Sequence, residues 1–245
     1  MSRNKAAALL IAAVFLLAQP VTARATWSIA AVDPRTKQVG IAGASCTDFV
    51  YGIAGVAPGK GVIVAQAMSN MRAKELGMKM LLEGASPQEV LAAITAPEFD
   101  PEFAVQQYGI VALGFENRSA TYTGSGVADW KGELRGYGVS VQGNILTDAR
   151  VLSDALVAFK RAARNKRLSL ADRLMAALEA GTKSGGGDRR CGAQRARSAF
   201  VVVETAKPDG VKPYLLINVT GREAGPENPL VLLRRKYDEW REGRP

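Results

Sequence analysis

Histidine is missing altogether from the 245 residues. Its absence excludes a Ser-His-Asp or Cys-His catalytic unit and the commonest zinc sites, which use imidazole. Cysteine is nearly as scarce, with Cys46 and Cys191 alone, so a structural zinc site built from thiolates is excluded as well. The glycine-rich stretch GIAGVAPGKG at 52–61 lacks the spacing and the Lys-Ser/Thr end of a phosphate-binding loop, and it reads as a loop between strands. Aromatics make up 7% of the chain, and no basic strand studded with them occurs, so nucleic acid is not an expected partner. Beyond residue 25 no apolar run approaches the roughly 20 residues a membrane span needs.

The longest apolar run is instead at the start. Arg3 and Lys5, the apolar stretch Ala6–Ala18, Pro20 and the small-residue pattern Ala23-Arg24-Ala25 read as a secretory leader cut after Ala25. Residues 26–245 would then form one domain, exported to the periplasm or the medium without a stable membrane anchor. Of the formal charge of +9, three positive charges leave with Arg3, Lys5 and Arg24, and nine less three leaves +6. The remaining basic residues concentrate at 160–173, 189–197 and 234–244, where solvated helix faces account for most of them. Export places Cys46 and Cys191 in a compartment that permits disulfides, and a count of two leaves no odd thiol. A bridge is expected, the alternative being two unpaired small hydrophobes.

Periodicity divides the chain into blocks. Residues 26–33 and 39–45 read as a hairpin, 61–68 as a third strand, and 71–84 and 86–95 as helices, the second opened by Ser86, Pro87 and Glu89 as a capping box. Strand patterns return at 108–116, 119–125 and 137–146, helices at 148–164 and 169–180 with Ser169 as N-cap, strands at 198–205 and 213–220, and a last helix at 229–242. Strands in hairpins and helices in pairs do not make a doubly wound parallel sheet. They predict an α+β fold of two packed antiparallel sheets flanked by helices.

A hydrolase without histidine needs another base that is neutral near pH 7. A free α-amine titrates near ~7.7–8.0, whereas lysine lies near ~10 and carboxylates near ~4. Cleavage after Ala25 would expose such an amine on Thr26, tethering base and nucleophilic hydroxyl in one residue. Thr26 is equally a good strand former, and both readings stand at this point.

The segments TWSIAAVDPRTKQVGIAGAS, VIVAQAMSN, LGMKMLLEGASPQEVLAAI, YGVSVQGNIL and GGGDRRCGAQRARSAFVVV, in this order, resemble successive landmarks of the DUF1028 family, within the N-terminal-nucleophile (Ntn) hydrolase superfamily. The resemblance implies a four-layer αββα sandwich with Thr26 opening the first strand. The family usually begins that strand just after an initiator Met, whereas here leader removal would expose it. It also implies attack on an amide carbonyl by Thr26 and proton transfer through its α-amine, with no cofactor and no metal. Asn144 is the candidate oxyanion donor, and Gly143 would let backbone approach the substrate closely. Asp188, Arg189 and Arg190 form a candidate binding loop for a carboxylate, with Asp188 holding one guanidinium. Ser45, Gln66 and Ser69, near strand ends, are candidates to line a pocket. Asp33 lies too far from Thr26 to act directly and reads as a turn former. A bridge between Cys46 and Cys191 would pin the second strand to the arginine loop. The expected reaction is hydrolysis of a small anionic amide or peptide-like substrate. The alternatives are a noncatalytic periplasmic binding or assembly protein on the same sandwich, and a structural protein with no small ligand; self-association into a homo-oligomer is left open.

Overall fold

Strand β1 (Thr26–Asp33) and strand β2 (Gln38–Ser45) form the expected hairpin, and every residue of both is buried. The structure is a computed structural model describing residues 26–183, 186–206 and 213–243. The expected leader, residues 1–25, and the bond between Ala25 and Thr26 lie outside the described residues. Eight further strands follow: β3 (Ala54–Ala57), β4 (Gly61–Ala67), β5 (Gln106–Ala112), β6 (Ala120–Thr123), β7 (Gly132–Gly136), β8 (Val139–Asn144), β9 (Ser198–Glu204) and β10 (Leu215–Val219). They assemble into a six-stranded sheet of order β10-β9-β2-β1-β8-β7 and a four-stranded sheet of order β3-β4-β5-β6. Every pairing is antiparallel.

Helices α1 (Met71–Leu82) and α2 (Pro87–Ile94) cover the smaller sheet, packing Ala73, Leu81, Val90 and Ile94 on Ile63, Ala65, Tyr108 and Ile110. Helices α3 (Arg150–Arg164), α4 (Leu170–Ala180) and α6 (Pro229–Glu242) cover the larger sheet, and the short helix α5 (Gly221–Ala224) lies between β10 and α6. The result is the αββα arrangement. Caps fall where the side chains call for them: Ser86 with Glu89 and Ser169 with Asp172 form capping boxes, and Asn70 and Asn228 accept from the first turns of α1 and α6.

Three elements escaped the sequence patterns. Part of the stretch read as a loop at 52–61 is β3, an edge strand of four residues with only Gly55 and Ala57 buried, too short to show alternation. Strand β7 is likewise an edge strand, half-exposed and rich in polar residues, and α5 is a single turn.

The period of two decides what lies between the sheets. On β1, Trp27, Ile29 and Ala31 point toward the helices, and the Trp27 indole donates to the Leu178 carbonyl of α4 at 3.2 Å. Ala30 and Val32 point the other way, joining Ile41, Val62, Val64, Val111, Phe200 and Val202 between the sheets. The same layer changes character toward the Thr26 end. There the inward positions carry Thr26, Ser28, Ser45, Gln66, Gln107, Gln142 and Asn144, all buried. The chain has placed an apolar core at one end of its central layer and a polar one at the other.

Asp33 closes the β1–β2 turn as expected, its carboxylate accepting the Arg35 amide at 3.0 Å. It is also buried against Arg173 of α4 at 3.1 Å, so it ties the hairpin to the helical layer. Among the described residues no helix is long and apolar enough to cross a membrane.

Candidate functional site

Thr26 begins the central portion of the larger sheet, flanked by Ser45 of β2 and Asn144 of β8 in register. Its hydroxyl Oγ1 donates to Ser45 Oγ at 3.3 Å, and Thr47 Oγ1 donates to the same oxygen at 3.1 Å. Three hydroxyls thus form a chain at the end of the hairpin. Thr26 and Gln66 help to floor a cleft of about 320 Å³, at the small end of the usual range for ligand pockets, with Phe49, Val50, Ile53 and Met71 on its sides. Ser69 lines it too, as its place near a strand end suggested, whereas Ser45 is sealed behind Thr26 and has no exposed surface.

Behind Thr26, an amide network crosses between the sheets, and its orientation follows from chemistry alone. Gln107 Nε2 donates to the backbone carbonyls of Gly143 at 2.9 Å and Gly132 at 3.2 Å, oxygens that can only accept. Gln107 Oε1 is therefore an acceptor, and it takes Gln66 Nε2 at 2.7 Å and Asn144 Nδ2 at 3.1 Å. Gln66 Oε1 then accepts from the Ser28 hydroxyl, and Ser28 accepts from Gln142 Nε2, each at 2.7 Å. This propagation leaves Asn144 Oδ1 and Gln142 Oε1 buried with no hydrogen-bond partner among the described residues. An orphaned buried acceptor costs about 1–3 kcal/mol, and eight other buried side-chain atoms among the described residues are likewise without a partner, so these two add to a cost spread over the fold.

Backbone strain falls beside this network. Ala67, after Gln66, has φ 67°, and Ile145, after Asn144, has φ 50°. A β-branched residue with positive φ is rare enough to need a cause, and such residues cluster at functional sites.

Asn144 is fully buried and does not line the cleft. One of its amide hydrogens serves Gln107, and the second remains for another acceptor. Gly143 faces the other way: a Cβ there would lie 2.6 Å from Leu146 Cδ1 and 3.0 Å from the Thr26 carbonyl oxygen. Its small size serves the close packing of β8 on β1, and it does not open onto the cleft.

The arginine loop is built around Asp188, which has no exposed surface. Its carboxylate accepts the Cys46 amide at 2.6 Å and the Arg190 amide at 2.9 Å, and pairs with the Arg190 guanidinium at 3.0 Å. Arg189 is exposed and donates to the Asp129 carbonyl at 3.0 Å. Cys46 and Cys191 are joined in a disulfide across a sequence separation of 145, pinning this loop to the end of β2. Neither arginine lines the cleft.

Close by, Lys74 of α1 is buried and donates to the Gly52 carbonyl at 2.5 Å, anchoring a wall of the cleft from behind. Burial lowers its pKa, and the nearby Glu75 offsets this only in part. Among the described residues no group of three or more Cys, Asp or Glu side chains gathers as a metal site would require.

Sequence reasoning missed Ser28, Gln107 and Gln142, and the cleft walls Phe49 and Met71. A signal existed for Gln142, which shares the inward face of β8 with Ser140 and Asn144, whereas Gln107 fell just outside the strand read at 108–116. The walls had none, because they meet only through tertiary packing.

The family model described as "Family of unknown function (DUF1028)" matches residues 26–226. A crystal structure of a DUF1028 protein from Silicibacter pomeroyi superposes with a TM-score of 0.71 at 27% identity, covering 88% of this chain and 85% of that one. No curated protein matches the chain.

Proposed function

The chain belongs to the DUF1028 family, and on that premise we propose that it is an exported amidohydrolase of the Ntn type, with Thr26 as its N-terminal nucleophile after cleavage behind Ala25. The observation that carries the reading is the position of Thr26: a hydroxyl on the floor of a cleft, at the start of a buried central strand, in a chain without histidine. A merely structural strand residue would not need the hydroxyl chain to Ser45 and Thr47, nor a strained polar layer behind it.

In this mechanism Thr26 Oγ1 forms a bond to the amide carbonyl carbon while its proton passes to the Thr26 α-amine. The carbonyl electron pair moves onto oxygen; Asn144, in register beside Thr26 but sealed from the cleft in this structure, serves as the oxyanion donor only if substrate binding opens a path to its second amide hydrogen, an interaction of about 2.7–4 kcal/mol in comparable sites. Collapse breaks the C–N bond, and the α-ammonium returns its proton to the leaving amine. Water, deprotonated by the same amine, then hydrolyses the threonyl ester. Ser45 orients the attacking hydroxyl. The tether between amine and hydroxyl supplies the proximity that a separate base would have to achieve by packing.

The test is direct. Intact mass of exported protein should correspond to a chain starting at Thr26, and amide hydrolysis should disappear on acetylation of the terminal amine. A chain retaining Arg24 or Ala25, or full turnover after acetylation, removes the proposal and leaves a binding role on the same sandwich.

A further inference from the structure

The cleft above Thr26 is more specific than the reaction requires. Two large apolar side chains, Phe49 at 51% and Met71 at 53% exposure, stand at its mouth, and Val50 and Ile53 continue the apolar surface inward. Large apolar groups left open to water beside a buried polar floor are informative where a single exposed leucine is not. Among the described residues that line the cleft none is charged. The charged groups flanking its wall are already engaged: Asp48 pairs with Arg197 at 2.7 Å, Lys74 donates to the Gly52 carbonyl, and the Arg72 guanidinium lies over the Phe99 ring. The basic loop expected to read a carboxylate stands outside the lining, with Arg190 neutralised by Asp188.

From this we infer that the cleft takes an uncharged apolar acyl group, aromatic or branched aliphatic, with its carbonyl carbon delivered to Thr26. The inference rests on the hydrolase reading for what happens to the carbonyl, but its binding half stands independently. An acidic side chain in this cleft would lose hydration and find no cationic side chain in return, and the Thr26 α-amine that the hydrolase reading places there must be neutral to act as base. A phenyl or isobutyl group would instead cover Phe49, Ile53 and Met71, removing apolar surface from water. The small volume, about 320 Å³, limits the occupant to one such side chain with its amide. Ser69 Oγ and Thr47 Oγ1, whose hydrogens already serve the Ala65 carbonyl and Ser45, remain as acceptors for the N–H of the flanking amide.

The experiment uses the Thr26→Ala variant, which binds without turnover, titrated by ligand-observed NMR with the N-acetyl amides of phenylalanine, leucine and aspartate. The phenylalanine and leucine amides should bind at least tenfold more tightly than the aspartate amide. The double variant Phe49→Ser/Met71→Ser should abolish that preference while its melting temperature stays near that of the parent. Equal or tighter binding of the aspartate amide overturns the inference. So does no binding of the apolar amides, or a preference that survives the double substitution. The wild-type protein separates the two readings. Apolar binding without hydrolysis defeats the enzyme and leaves the cleft assignment, whereas hydrolysis confined to the aspartate amide does the reverse.

Discussion

Ser45 faces Thr26 across the first hairpin, with their side-chain oxygens 3.3 Å apart, and the residue after Ser45 is the disulfide-bonded Cys46. The hydroxyl that touches the candidate nucleophile is therefore one peptide bond from the covalent clamp on the arginine loop. Asp188 reinforces the link, since its carboxylate accepts the Cys46 amide at 2.6 Å. Thr26, clamp and loop form one mechanical unit, and the predictions below follow from it and from the amide network behind it.

Thr26→Ala should lower amide turnover by about 10⁴- to 10⁶-fold, the scale on which removal of a nucleophile acts. Thr26→Ser keeps hydroxyl and amine and should retain measurable activity. Steady-state kinetics on protein of verified N-terminal mass decides this, and equal activity in wild type and Thr26→Ala would exclude the nucleophile.

Reduction, or the double substitution Cys46→Ser/Cys191→Ser, should cost up to about 4–5 kcal/mol, the chain-entropy figure for so long a loop. A chain of this size should then melt lower by roughly 8–20 °C. Calorimetry with and without reductant measures the loss. Turnover should fall well below the new melting temperature, because Ser45 loses its anchored neighbour.

Acid should weaken the fold through Asp33. Burial raises its pKa, but the hydrogen bonds from Arg35 and the positive charge of Arg173 outweigh that and hold it below the usual carboxylate range. The folded pKa is thus lower than the unfolded one. The stabilisation is fully present above about pH 4 and is lost as pH falls through the folded value. Asp33→Asn leaves Arg173 buried without its counter-ion and should cost about 3 kcal/mol at pH 7. Urea unfolding should show the wild-type and variant curves converging below pH 4.

Gln107→Leu should cost at least about 2 kcal/mol, because the Gly143 carbonyl, Gln66 and Asn144 all lose a partner in a buried layer. Gln107→Glu should be worse at neutral pH, where a buried carboxylate cannot donate to the Gly143 carbonyl, and should recover part of the loss on mild acidification as it protonates. Urea titrations of both variants at pH 7 and pH 5 test this. A Gln107→Glu protein insensitive to pH would contradict the orientation assigned to the network.

Much of the architecture was readable before any coordinates. The alternation in β1, β2, β4 and β9, the capping boxes at Ser86 and Ser169, and the grouping of strands and helices are local signals, and each was found within a few residues of its observed bounds. Edge strands β3 and β7 were not, because a strand that buries one face weakly carries little pattern. At the site, Thr26 was singled out as the residue a cut after Ala25 would expose, and Gln66 and Ser69 from their places near strand ends; all three line the cleft. Gly143 was expected to approach a substrate and packs instead against Leu146 and the Thr26 carbonyl. Arg189 and Arg190 were candidates to read a carboxylate; Asp188 holds Arg190 as expected, and neither arginine lines the cleft.

Composition and periodicity by themselves determined which chemistries were closed to this chain, which residues lie in strands, and that two cysteines were available to join. Those properties depend on residue type and on spacings of two or four positions, which the order of amino acids states outright. Only tertiary structure decided that Gln66, Gln107, Gln142 and Asn144 share one buried layer, and that Phe49 and Met71 make an apolar mouth over Thr26. Those contacts join residues from separate strands and loops, and their pairing depends on how two sheets stack, a choice that no short stretch of sequence encodes.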